Sequence, residues 1–177
     1  VGVGKAKITA ISNDGNEVKG SCSVYVSPVV SISSLKINSK EITMLSGKTR
    51  QLTVRITPTN TTESVDWYST DTSVVVVDGS GRITTVGPGT ADVVCVGGIS
   101  NKEASCTVHS LAISQSSIRL EQYDTFDLYV DGTDKSVSWR TANPRVATVN
   151  SSGHVVARMA GTTKITATVD GKTLTCT

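Results

Sequence analysis

Along the chain, apolar residues recur at every second position in short runs: Leu35 and Ile37; Leu52, Val54 and Ile56; Val65 and Trp67; Ala91, Val93 and Cys95. A period of two sends successive side chains to opposite faces, so each run predicts a strand with one face buried. Clusters of turn-forming residues separate the runs, among them Asp78-Gly79-Ser80-Gly81, Asn150-Ser151-Ser152-Gly153 and Asp170-Gly171. Turn signals every 8 to 12 residues or so predict an all-β chain built of antiparallel sandwiches, with about seven strands to each unit.

The pattern repeats, which fixes the units before any single strand is considered. Val65-Asp66-Trp67, Val74, Gly81-Arg82-Ile83, Gly89-Thr90-Ala91 and Cys106 correspond to Val137-Ser138-Trp139, Val146, Gly153-His154-Val155, Gly161-Thr162-Thr163 and Cys176. The tryptophan and both glycines recur after 72 residues, whereas Leu35-Lys36-Ile37 matches Leu111-Ala112-Ile113 after 76. The later unit is therefore shorter between its second and third strands, the kind of trimming that loops tolerate. Val1-Gly2-Val3-Gly4-Lys5-Ala6 is similar to Val86-Gly87-Pro88-Gly89-Thr90-Ala91, and Cys22 falls where Cys106 does. Residues 1–28 are thus expected to be the C-terminal part of an incomplete repeat, with whole repeats at 29–109 and 110–177. The connection at His109-Ser110 is so short that adjacent units are not expected to tumble freely. Trp67 and Trp139 each follow a valine by two residues, on the same strand face, and are expected at the centres of the two cores, burying ~200 Å² apiece.

These residues carry a family resemblance. The order Leu35-Lys36-Ile37, Gly47, Leu52-Thr53-Val54, Val65-Asp66-Trp67-Tyr68-Ser69, Ser73 to Asp78, Gly81-Arg82-Ile83-Thr84, Gly89-Thr90-Ala91 and Cys106-Thr107-Val108 resembles the bacterial immunoglobulin-like domain of group 2. The resemblance implies tandem Greek-key immunoglobulin-like β-sandwiches. It also implies a role as spacer, adhesive tip or decoration in a bacterial surface protein or a phage virion. The last unit departs from the pattern at Glu121-Gln122-Tyr123-Asp124, where the family places a glycine turn, so the entry to its second strand is not set by the resemblance.

Composition adds little to this picture and removes much. Only 18% of the 177 residues are charged, the net charge is +2, and basic residues are scattered without an arginine-aromatic stripe, so nucleic acid is not an expected partner. No apolar run approaches the ~18 residues that would insert into a membrane. Of the four cysteines, Cys22, Cys106 and Cys176 occupy the same place in successive repeats, and only Cys95 and Cys106 share a unit. Those two are expected on one face of a hairpin, either as buried core thiols, the favoured reading, or as a cross-strand disulfide. Unpaired core thiols suit assembly in a reducing compartment, as for a phage particle.

Candidate chemistry is sparse. His109 and His154 lie in different contexts with no evident partner, and no cysteine spacing suits zinc. Asp66, Asp71, Asp78, Asp131 and Asp134 are turn carboxylates outside any EF-hand spacing. No catalytic, cofactor or metal site is therefore expected. The best candidates for a ligand surface are the loop residues Asn60, Thr61, Thr62 and Glu63, with Tyr68 and Tyr129 facing solvent. Their partner would be a surface polysaccharide, a host surface, or another subunit of a cell-surface or virion assembly. Accessory domains of a cell-wall hydrolase, with the chemistry elsewhere, are a further reading.

Overall fold

The computed structural model describes residues 2–177, and strands are the regular elements among them. A hairpin comes first, β1 (Gly4–Ile11) and β2 (Lys19–Val26). Next come β3 (Ser34–Ile37), β4 (Glu41–Leu45), β5 (Thr49–Gln51), β6 (Val54–Thr57), β7 (Val65–Ser69), β8 (Val75–Val77), β9 (Arg82–Thr85), β10 (Gly89–Gly97) and β11 (Glu103–Ile113). The last set is β12 (Thr125–Asp127), β13 (Val130–Asp131), β14 (Ser138–Thr141), β15 (Ala147–Val149), β16 (His154–Ala157), β17 (Ile165–Val169) and β18 (Lys172–Cys176).

Two sandwiches of the same design result. In the middle one, β3 pairs β6 and β5-β9-β8 form a ladder; β7-β10-β11 lie opposite, with β4 joined in parallel to β11. The last repeats this with the end of β11 paired to β13, the ladder β12-β16-β15, and β14-β17-β18 opposite. The hairpin register is the same in all three copies: Ile8 faces Cys22, Val93 faces Cys106 and Ile165 faces Cys176. In β1 and β2 every residue is exposed, whereas Val93, Cys106 and Cys176 are wholly buried.

Each sandwich holds two neighbouring clusters of buried side chains. One in the middle unit gathers Ile42, Leu52, Val75, Ile83, Val93 and Val108; the other gathers Ile32, Leu35 and Cys95. Trp67 packs against both, and Trp139 packs against the two clusters of the last unit. Each ring remains partly exposed, so the tryptophans bridge clusters where the periodicity placed them at a centre. Cys95 faces Ala104 and Cys106 faces Val93, so the two thiols sit diagonally, in different clusters, and both are free. Burial, with Asp66 nearby, pushes the Cys95 thiol up to about 11, and burial raises Cys106 and Cys176 as well. They are inert core groups at neutral pH.

The departure at Glu121 to Asp124 has a physical resolution. Gly47 has φ 77° and donates its N–H to Thr85 O at 2.9 Å; Tyr123 has φ 76° and donates to Ala157 O at 2.9 Å. Tyr123 therefore makes the same turn, in a left-handed conformation that costs a residue bearing Cβ roughly 1–2 kcal/mol. Its side chain is 76% exposed and gains little packing in return.

Two outcomes follow for stability. Tyr123→Gly should raise the stability of the last sandwich by up to ~1 kcal/mol, read as a higher urea midpoint. Trp139→Ala should cost that sandwich ~3–5 kcal/mol in the same measurement, most of a small domain's margin.

Candidate functional site

The connection between β6 and β7 was expected to offer Asn60, Thr61, Thr62 and Glu63 to a ligand, and here the structure differs. Glu63 is 6% exposed. Its carboxylate accepts the N–H groups of Ile32 (2.7 Å), Ile99 (2.8 Å) and Ser100 (2.6 Å), and the Ser100 hydroxyl (2.8 Å). Burial opposes the charge, but these donors outweigh it and hold the pKa down at about 2. Thr61 Oγ1 donates to Val30 O at 2.5 Å, and Val30 N donates to Thr62 Oγ1 at 3.1 Å. The loop thus ties the lead-in segment at Val30 to Ile32 onto the tip of the β10–β11 hairpin, and Asn60 is left exposed. A hydroxyl-rich loop reads in sequence as a free surface because the donors that engage it lie more than 30 residues away.

Tyr68 and Tyr129 do face solvent, 45% and 57% exposed. Tyr68 stands on β7, opposite Val94, in the middle sandwich, while Tyr129 lies between β12 and β13 in the last.

The densest polar arrangement lies at the junction of the two sandwiches. Strand β11 crosses it unbroken: Thr107 to Leu111 pair with Glu41 to Leu45, and Ala112 and Ile113 pair with Asp131 and Val130. His109 Nδ1 lies 2.9 Å from Thr90 Oγ1 and its Nε2 lies 3.1 Å from Glu41. Lys135, from the last sandwich, reaches Glu41 at 3.7 Å and Asp170 at 3.2 Å, and the Thr43 hydroxyl donates to Asp170. The Asp170 hydrogen bond, reinforced by charge, raises the Lys135 pKa; the Thr43 hydroxyl and then Lys135 lower that of Asp170. Gly132 (φ 88°) passes so close that an added Cβ would stand 1.9 Å from Ser110 O. Of these groups, Thr90, His109, Gly132 and Lys135 border a cleft of about 450 Å³. Its chemistry is that of a clamp: opposite charges from β4, the Gly132–Lys135 loop and the β17–β18 turn neutralise each other across the joint.

Both histidines have partners that local sequence did not reveal, since His154 Nδ1 lies 2.6 Å from Asp127 Oδ1. Two of the expected turn carboxylates, Asp71 and Asp78, are explained by the repeat, whereas Asp66 lies on β7 and Asp131 on β13. Asp78 Oδ1 accepts the N–H groups of Ser80 and Arg82, and Asn150 Oδ1 accepts those of Ser152 and His154. Asp71 and Asn143 likewise each accept the N–H two residues on. A neutral amide does the same work in the last unit, so the turns need an oxygen acceptor and not a charge. No group of three His, Cys, Asp or Glu suited to a metal ion exists among the described residues.

Comparison with known proteins agrees with this architecture. Residues 31–108 match the bacterial Ig-like domain (group 2), and residues 121–171 match the intimin immunoglobulin-like domain. An uncharacterized protein of Clostridium acetobutylicum is 30% identical over 154 residues, 79% of this chain and 16% of that protein. Ice-binding protein 1 of Shewanella frigidimarina is 28% identical over 156 residues, 77% of this chain and 18% of its own length. Lacto-N-biosidase of Bifidobacterium bifidum is 34% identical over 79 residues, 45% of this chain and 7% of the enzyme. The chain thus spans less than a fifth of the length of these relatives. Among solved structures, the C-terminal 282-residue fragment of intimin, bound to the intimin-binding domain of its translocated receptor, covers 83% of this chain and is itself covered to 62%. Its identity is 19% and its TM-score 0.44.

The Glu63 clamp has a pH signature. Its folded pKa lies below the ordinary 4.5, so the stabilisation it supplies is full above that value and is lost as pH falls towards about 2. Glu63→Gln should lower the melting temperature of the middle sandwich at pH 7 and flatten its decline between those two values. Calorimetric melts that stay parallel for the two proteins across this range would show that Glu63 is not the group involved.

Proposed function

Given that residues 31–108 form a bacterial immunoglobulin-like domain of group 2, we propose that the chain is a non-catalytic structural segment of a surface protein. In this reading it is a stiff spacer that carries other parts of that protein away from a bacterial cell surface or a phage particle. The observation that carries the reading is β11, one strand hydrogen-bonded into two sandwiches, which leaves no flexible linker between them. The fate of the reactive groups supports it. Glu63, Asp71 and Asp78 are committed to backbone donors, His109 and Lys135 to the junction, and Cys95, Cys106 and Cys176 to the core.

A recognition role, with polysaccharide or a host surface as partner, is favoured by one feature, the exposure of Tyr68 and Tyr129. Tyrosine offers contact area at low entropic cost, but the two residues belong to different sandwiches. Accessory domains of a hydrolase would be spacers of the same kind, with the chemistry on another domain.

The test is binding of the labelled chain to whole bacterial cells and extracted wall polysaccharides, with the heat-denatured chain as control. No saturable binding is expected. Saturable binding that disappears in folded Tyr68→Ala or Tyr129→Ala proteins would overturn the spacer reading in favour of recognition.

A further inference from the structure

Residues that face each other across β3 and β6 of the middle sandwich point to the same side of the ladder. Leu35 and Ile56 face each other and pack in the core, so the pairs on either side of them, Ser34 with Thr57 and Lys36 with Arg55, point outwards. Lys36 and Arg55 are both exposed. Like charges placed directly opposite on a ladder repel and weaken the pairing. Among the described residues neither of these two joins an ion pair. The next outward pair is uncharged: Asn38 N donates to Thr53 O at 3.0 Å, and Thr53 N donates to Asn38 Oδ1 at 3.2 Å. By contrast Arg82, opposite Gln51 in the neighbouring ladder, has Asp78 beside it. Hydrogen bonds from Ser80 and the Arg82 N–H, with the Arg82 charge behind them, lower that carboxyl's pKa.

The last sandwich shows that the fold does not require this cationic pair. Where Lys36 faces Arg55, the last sandwich has Ala112 facing Asp131. Where Arg82 faces Gln51, it has His154 facing Asp127, with the two side chains in contact at 2.6 Å. Nor does the exposure of Lys36 and Arg55 depend on what precedes them. With the whole middle sandwich before them, Asp131 stays exposed and Ala112 half-buried. Leu35 follows Cys22 by 13 residues, whereas Leu111 follows Cys106 by 5, so the lead-in to β3 leaves more room still.

Ser34, Lys36, Arg55 and Thr57 line a hollow of about 220 Å³. It offers an ammonium, a guanidinium and two hydroxyls on one side of the ladder. We propose that this hollow is an oxyanion site for a sulfate or phosphate monoester carried by a glycan. A carboxylate has two oxygens, which a guanidinium alone satisfies in a forked pair. A sulfate or phosphate monoester presents three terminal oxygens, enough to engage Arg55, Lys36 and a hydroxyl together, and its charge relieves the repulsion between the two cations. Exposed charges of this kind are screened by solvent and hold one such group at roughly millimolar strength. That is too weak to retain single labelled chains on cells, so the site goes beyond the spacer role without contradicting it.

The probes are glucose sulfate and glucose phosphate monoesters, titrated at constant ionic strength into the isotope-labelled chain, with glucose and glucuronate as controls. Saturable shifts at the amides of Ser34 to Ile37 and Val54 to Thr57 are expected in the low millimolar range. Whichever ester binds more tightly identifies the source, sulfated or phosphorylated glycan. Glucose should shift nothing, and glucuronate should bind more weakly than the esters. The double variant Lys36→Gln, Arg55→Gln alters exposed positions alone; it should lose the response while the remaining amide signals stay in place. Ala112, Val130 and Asp131, at the matching ladder of the last sandwich, should not respond. No saturable shift with either ester, glucuronate binding as tightly as the esters, or a response that survives the double variant would each overturn the proposal.

Discussion

Strand β11 carries the hydrogen bonds of two sandwiches at once. Up to Leu111 it is flanked by β10 and β4; its last two residues pair with β13. The alternation of its side chains enforces the division, since Cys106, Val108 and Ser110 point into the middle core while Leu111 is buried in the last one beside Leu45. A one-residue slip would turn both sets out of their cores together. The orientation of one sandwich on the other is therefore set by backbone pairing, and the ion pairs of Glu41, Lys135 and Asp170 add to a joint already fixed. Exposed pairs of that kind contribute little, because solvent screens them.

The same logic explains why a repeat of this size tolerates so few large side chains. Each sandwich has a single tryptophan, and that residue links its two buried clusters. Conserving the register Val93 to Cys106 and Ile165 to Cys176 keeps the thiols in the core, where a small apolar side chain fits between sheets.

Much of this was legible in the sequence, because period-two alternation and the 72-residue offset report strand faces and unit size directly. Cys95 and Cys106 fell on one face as the alternation required. What escaped were contacts between residues distant in sequence. Glu63 reads as a loop carboxylate, and only the fold brings Ile32, Ile99 and Ser100 to it. His109 acquires Glu41 and Thr90 through strand pairing, and Tyr123 takes over the turn of Gly47 against its own conformational preference. Periodicity describes which way a side chain points; it does not say what waits there.

The central claim, that a shared strand makes two sandwiches into one rigid body, is tested most directly by nitrogen-15 relaxation across residues 30–177. The account predicts one rotational diffusion tensor that fits the amides of both sandwiches, with no rise in mobility at His109 to Ile113. Separate correlation times for the two sandwiches, or flexible amides within β11, would contradict it.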